Sequence, residues 1–199
     1  GTIISRNNFH FYFQADMMMN RGYFKEPLKK LLQLVAPDYI MEFLKAMRKG
    51  SITLIVILWS YFFIINELSR KLGLSIGYGV CDYGLVIPHC GIIVVGNANK
   101  IGLYAVLYTS FITDTGRKIG KGLLLSTGAK ITGGEVLGDH IVVAANSVVT
   151  KSFPEGKVLL VGMPAVKKAD RSDNYSLLKG ESKRRVNAIE NLKIKMGIE

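Results

Sequence analysis

Three histidines and two cysteines are the side chains here best suited to proton transfer or nucleophilic attack. His89 and Cys90 are adjacent, in the run Ile87-Pro88-His89-Cys90-Gly91. A neutral imidazole takes a proton from a hydroxyl near neutral pH. A thiolate attacks an electrophilic carbon directly. We read Cys90, and Cys81 with it, as small buried thiols instead. On residue type alone, His89 fits a base and a side chain filling a corner equally well. His140 falls in the turn-like run Gly138-Asp139-His140-Ile141, where exposure is expected. His10 carries no pattern. There is no CxxC spacing, so neither a metal knuckle nor a disulfide framework is expected.

The elements that must hold these residues change character at Leu74. Beyond it, short aliphatic steps are punctuated by glycine. Counting in sixes from Val95 gives Ile101, Leu107, Thr113, Ile119, Leu125, Ile131, Leu137, Val143 and Val149, and nine of these ten positions are aliphatic. Glycine follows at 96, 102, 120 and 138. Six residues do not return to the same face of an α-helix. An even spacing does return to the same face of a strand, yet the glycines exclude one long strand. The remaining solution is a short strand and a turn per hexad, three hexads per triangular coil, with the aliphatic residues inside. That is a parallel β-helix, for which hexapeptide repeats are the signature. The coil is expected to end near Phe153-Pro154.

The chain before Leu74 reads as helical. Glu26 to Val35 carries leucines at 28, 31, 32 and 34, and Tyr39 to Lys49 places Ile40, Phe43, Leu44 and Met47 along one stripe. Gly50 and Ser51 form a break. The uncharged run Ile52 to Ile65 follows; at fourteen residues it is short of the ~20 that span a membrane. We expect a helix buried in a subunit contact. A helix lying in a membrane interface, a peripheral contact through 52–65, is the alternative, given Trp59, Tyr61 and the flanking basic residues. Tyr175 to Met196 reads as a terminal helix with Val186, Ile189, Leu192 and Met196 on one side. The expected organisation is a helical region over 1–73, a β-helix over 74–168 and a helical tail over 169–199.

The formal charge of +11 comes from 26 basic against 15 acidic residues. Part of the excess is local: Lys29, Lys30, Lys45, Arg48 and Lys49 early, and Lys179, Lys183, Arg184, Arg185, Lys193 and Lys195 late. Most are read as solvated helix faces. No interleaved aromatic and basic motif argues for nucleic acid. Two cysteines and no secretory signal fit a reducing, cytoplasmic setting.

At His89 the residues resemble a known family. Ile87 to Gly96 (IPHCGIIVVG) looks like the histidine segment of hexapeptide-repeat serine acetyltransferases. Gly128-Ala129-Lys130-Ile131 resembles that family's "GAKI" coil, Ala144 to Val149 its "GAxSVV" coil, and Val161-Gly162-Met163-Pro164-Ala165 its closing turn. The resemblance covers Leu74 to Lys168. It implies a mainly β fold: a left-handed parallel β-helix with an α-helical N-terminal region and a C-terminal helix, assembled as a homotrimer or a dimer of trimers. It also implies a CoA groove between subunits and acetyl transfer from acetyl-CoA to a hydroxyl of serine or a sugar. His89 would be the base, with no acyl-enzyme. Gly128, Ala129, Ala145 and Asn146 would offer backbone amides to the pantetheine arm, Gly162 and Pro164 would shape the last turn, and Lys130, Lys167 and Lys168 would pair with phosphates.

The sequence also departs from that pattern. The family's orienting aspartate, fifteen residues before the histidine, is Leu74 here, and the residue just before the histidine is Pro88. The loop that holds the amino acid is reduced to Asp114-Thr115-Gly116-Arg117-Lys118. A backbone carbonyl or Asp82 is left to orient His89, and Asp114 and Arg117 are the local substitutes for acceptor binding. A zinc-dependent β-helix hydratase needs three histidines, and the repeats hold only His89 and His140, so no metal is expected. A β-helix scaffold or partner subunit without catalysis is the alternative reading.

Overall fold

A computed structural model describes residues 6–21, 38–49, 55–171 and 180–198, with 6, 7 and 55–62 as backbone alone. The expected helix over Glu26 to Val35 and the break at Gly50-Ser51 lie outside these residues. Among them, α1 (Arg6–Arg21), α2 (Tyr39–Lys49) and α3 (Ile55–Leu72) precede the repeats. α2 has the bounds its stripe predicts, and Ile40, Phe43, Leu44 and Met47 are buried. Asp38 caps it: its carboxylate accepts from the Met41 amide at 3.3 Å and its carbonyl from the Glu42 amide at 3.0 Å. Arg21 holds the same carboxylate at 2.5 Å. α3 runs past the apolar segment to Leu72, where Leu68 and Leu72 join the core. Phe63 and Ile64 remain 66 % and 45 % exposed. No described helix is long and apolar enough to cross a membrane.

The repeats fold as a parallel β-helix whose coils each give one strand to three sheets. The first sheet stacks β1 (Leu74–Ile76), β2 (Ile93–Val95), β5 (Ser110–Ile112), β8 (Lys130–Ile131) and β11 (Val148–Val149). The second stacks β3 (Lys100–Ile101), β6 (Lys118–Ile119) and β9 (Val136–Leu137). The third stacks β4 (Val106–Leu107), β7 (Leu124–Leu125), β10 (Val142–Val143) and β12 (Val158–Gly162). Antiparallel β13 (Ala165–Asp170) ends the third sheet. The nine aliphatic hexad positions point inward, each 5 % exposed or less.

Two expectations need correction. Thr113 is not an inward position. Val95 pairs with Ile112, and Ile112 with Ile131, so the fully aliphatic core row uses Ile112. The side before it is one residue short and the side after it, through Asp114 to Lys118, one residue long. Nor does the coil stop at Phe153-Pro154: Phe153 bridges Leu137, and the chain continues into β12.

Left-handed residues turn the corners, and some carry side chains that lie on a glycine one coil earlier. The Asn146 side chain covers Gly128, where a Cβ would sit 2.1 Å from its Oδ1. His140 covers Gly122 in the same way, at 2.5 Å from Nδ1. A left-handed non-glycine residue costs ~1–2 kcal/mol, which contact of the stacked side chain with the glycine offsets in part; Asn146 stays exposed there. His140 is therefore half-buried against the coil rather than exposed. At the other end α4 (Gly180–Lys195) packs on α1, with Ile189 buried and Val186, Leu192 and Met196 beside it.

Candidate active site

His89 lies on the edge where the third sheet passes into the first, and its side chain is exposed. The backbone on both sides of it is tied down. On the upstream side, Asn20 of α1 accepts from the Ile87 amide at 2.9 Å and donates to the Leu85 carbonyl at 2.7 Å. Asp16, one turn earlier, accepts from the Leu85 amide at 3.0 Å. On the downstream side, the Gly91 and Ile93 amides donate to the carbonyls of Leu72 and Gly73, both at 2.9 Å. Pro88 fixes its own φ within this frame.

Asp16 is fully buried and needs a counter-charge. Arg48 of α2 supplies it through two hydrogen bonds, at 2.8 and 3.2 Å. The same guanidinium donates to the carbonyls of Cys81 and Asp82, which fastens both helices to the first coil. Burial raises the pKa of the Asp16 carboxyl, against the pull of Arg48 and the Leu85 amide. Arg48, expected on a solvated face, is 2 % exposed.

Below His89 the same edge continues through every later coil. Tyr108 comes first, its ring 6.2 Å from the imidazole. Then come Gly128-Ala129, Ala145-Asn146 and the turn at Gly162 to Pro164. The edge is stitched vertically: Gly128 donates to Thr109 at 2.7 Å, Asn146 to Thr127 at 3.0 Å, and Gly162 to the Ser147 hydroxyl at 3.0 Å. Ala129 donates to Ser126 within its own turn. So of the four amides expected to face a pantetheine arm, those of Gly128, Ala129 and Asn146 are already committed. The Ala145 amide donates to no described residue, and neither do those of Thr127 and Thr109, its equivalents on the coils above. One spare amide per coil is a regular ladder for an extended amide-bearing chain.

The other expected site residues are divided between this edge and others. Lys130 donates to the Gly128 carbonyl at 3.3 Å, close to this edge. Lys167 and Lys168 are exposed on β13, and Lys167 is paired with Asp170 at 2.5 Å. That hydrogen bond holds the Lys167 ammonium above its usual range. Asp82 does not orient His89. It sits on the edge between the second and third sheets, where Tyr12 bonds it and the Tyr83 amide donates to it at 2.8 Å. Among the described residues neither imidazole nitrogen of His89 has a hydrogen-bond partner. Asp114 and Arg117 lie on the third edge, between the first and second sheets. Asp114 accepts from the Ala98 amide at 2.6 Å. Arg117 is 1 % exposed, donating to the carbonyls of Thr113 and Gly133. Both tie neighbouring coils together at that corner, on a different edge from His89. Cys90 is exposed, not buried as expected. Cys81 is the buried thiol, and burial pushes its pKa to about 12.

No protein-family model matches the chain, and no curated protein matches its sequence. Solved structures do match its fold. The serine acetyltransferase of Neisseria gonorrhoeae aligns with a TM-score of 0.64 at 20% identity, over 83% of this chain and 68% of that one. The soybean enzyme complexed with serine gives 0.61 at 21%, over 80% and 69%. A serine acetyltransferase in complex with CoA gives 0.57 at 20%, over 80% and 67%. The chain has the serine acetyltransferase fold. Identities this low carry the architecture and not the substrate.

The residues that sequence reasoning missed are Asp16, Asn20 and Tyr108. A signal existed for the first two. Asp16 and Asn20 are four apart, so they share one face of α1 amid Phe11, Tyr12, Ala15, Met18 and Met19. A carboxylate on an apolar face asks for a buried partner.

Proposed function

We propose that this protein is an acetyl-CoA-dependent O-acetyltransferase, with His89 as general base and a hydroxyl of serine or of a sugar as acceptor. The observation that carries the reading is the edge itself: an exposed, backbone-anchored imidazole followed by one spare amide per coil. Acetyl-CoA supplies an acetyl group already activated as a thioester. His89 takes the acceptor's proton as its oxygen bonds to the acetyl carbon. The imidazolium then returns that proton to the departing thiolate, so no acyl-enzyme forms. A spare backbone amide near Tyr108 suits the developing oxyanion, which fixed dipoles stabilise without reorganisation. The Ala145 and Thr127 amides suit the pantetheine arm, and Lys130 with Lys168 suits the phosphates.

The outward positions of the third sheet, Val86, Val106, Leu124, Val142 and Leu159, are aliphatic throughout. Val106 and Val142 of that face are already buried and Val86 packs on the cluster of α1 and α4, so it is half-exposed Leu124 and Leu159, with Phe63 and Ile64 of α3, that support assembly, which we read as a homotrimer or a dimer of trimers. The free, exposed thiol of Cys90 suits a reducing cytoplasm.

The test is release of CoA thiol from acetyl-CoA with a panel of hydroxyl acceptors, serine and sugars among them. His89→Ala should lower kcat by ~10²–10⁴-fold, the usual contribution of a general base, with acetyl-CoA binding retained. No turnover with any acceptor, and no change on His89→Ala, would leave the non-catalytic scaffold as the reading.

A further inference from the structure

A second concavity lies beside the His89 edge, between α3 and β1. Its volume is about 630 Å³, in the range of small-molecule sites. Asn66, Ser69 and Arg70 form its helical wall, and Ser75, Tyr78 and Asn97 its floor. One end is Gly73, where an added Cβ would sit 3.0 Å from the backbone of Gly91. The groove therefore closes against the chain two residues from His89. On the far side of His89 the imidazole leans toward Tyr108, and the edge of spare amides begins there. A donor on that edge takes one side of the base. An acceptor approaching from the other side meets the backbone at Gly91, against which this groove ends.

The lining decides which acceptor fits. A free amino acid brings an ammonium and a carboxylate, each of which needs a counter-charge when taken from water. Among the described residues no acidic side chain lines the groove. Its one cation, Arg70, is bonded to Glu67 at 2.5 Å. The other polar groups are neutral amides and hydroxyls, which both donate and accept and so match the hydroxyls of a polyol. Tyr78, 41 % exposed, adds an amphipathic ring of the kind that lies against the apolar face of such a ligand.

Resting on the O-acetyltransferase reading, we propose that the acceptor is a sugar hydroxyl and that the sugar occupies the groove between α3 and β1. Ser75 is outward on β1, between buried Leu74 and Ile76, so Ser75→Trp fills the groove and leaves the core alone. The probes are N-acetylglucosamine, galactose and L-serine, followed by saturation-transfer NMR and by acetyl transfer. Calorimetric binding of CoA serves as the check on folding. The whole chain should bind a sugar and not L-serine. Ser75→Trp should weaken sugar binding by about tenfold or more, and Tyr78→Ala by about fivefold, with CoA binding unchanged in both. Sugar binding unaltered in both variants, no sugar bound by the parent, or L-serine bound in the sugars' place would each overturn the proposal. Sugar bound in the groove without acetyl transfer would uphold the groove and refute the transferase reading.

Discussion

Replacing Asp16 by alanine should cost about 4 kcal/mol of folding stability. The carboxylate is fully buried and accepts from Arg48 at 2.8 and 3.2 Å and from the Leu85 amide at 3.0 Å. Alanine leaves the guanidinium, itself 2 % exposed, facing the Cys81 and Asp82 carbonyls and the Tyr12 ring, none of which carries a balancing charge. Removing one member of such a pair costs ~3–5 kcal/mol, because the other charge is stranded. The Leu85 amide, left without its acceptor, adds ~1–3 kcal/mol. Water entering the vacated space offsets part of the sum, and neighbouring losses do not add. Against a whole-domain stability of ~5–15 kcal/mol, this is a large fall in the urea midpoint, read by far-ultraviolet circular dichroism with the slope checked for two-state behaviour. The double variant Asp16→Leu with Arg48→Met should regain most of the loss, since apolar groups of similar volume replace buried pairs at little cost. A single-variant loss below ~1 kcal/mol, the worth of an exposed pair, would refute the reasoning. So would a double variant no more stable than the single one.

Two further outcomes follow from the anchoring of His89 and from the thiols. Asn20→Ala removes the bonds to Leu85 and Ile87 and should lower kcat by about tenfold through misplacement of the base. Steady-state kinetics should find the KM for acetyl-CoA unchanged, because Asn20 does not touch the Tyr108–Pro164 edge; a rise in that KM with kcat intact would contradict this. At pH 8 a thiol reagent should label Cys90 rapidly, with iodoacetamide abolishing activity and acetyl-CoA protecting it. Cys81, buried and pushed to about 12, should react only in denaturant. Its folded-state value lies above its ordinary one, so it stays protonated, and inert as a nucleophile, throughout the neutral range. Rapid labelling of both thiols would contradict the burial.

The β-helix was legible because each hexad repeats a local decision: an aliphatic residue inward, a small residue at the turn. The one non-aliphatic hexad position, Thr113, marked where the register slips to Ile112, and fixed sixes could not reveal a short side followed by a long one. His89 was singled out through its flanking motif. Its supports were not, because they come from elements far away in sequence. Arg48, four residues after Leu44, borders the apolar stripe more closely than the half-buried Lys45 and Lys49 do, but its full burial depends on where α1 crosses. Asp82, Asp114 and Arg117 were misplaced for the converse reason. Asp82 stands near the motif in sequence, but in a three-sided coil a separation of about half a dozen residues reaches a different edge; Asp114 and Arg117 stand where the resemblance places the acceptor loop, and here that stretch is a corner on the third edge.

On the proposed reading, that geometry also explains how His89 would serve without the aspartates the resemblance leads one to expect. A carboxylate behind an imidazole selects a tautomer and stabilises the charged ring. Among the described residues none stands behind His89, so orientation must come from the chain and from packing. The chain supplies position: hydrogen bonds at residues 85, 87, 91 and 93 bracket the histidine. Packing supplies direction, through Tyr108 at 6.2 Å. Tyr108 stands on the same edge one coil down, where successive strands lie ~4.8 Å apart. The base therefore leans toward the residue at which the ladder of spare amides begins. On the proposed reading, proximity then carries more of the catalytic burden than charge stabilisation does, since a well-placed pair gains from orientation alone. On this account a change at Tyr108 disturbs base and donor together, whereas one at Asn20 disturbs the base alone.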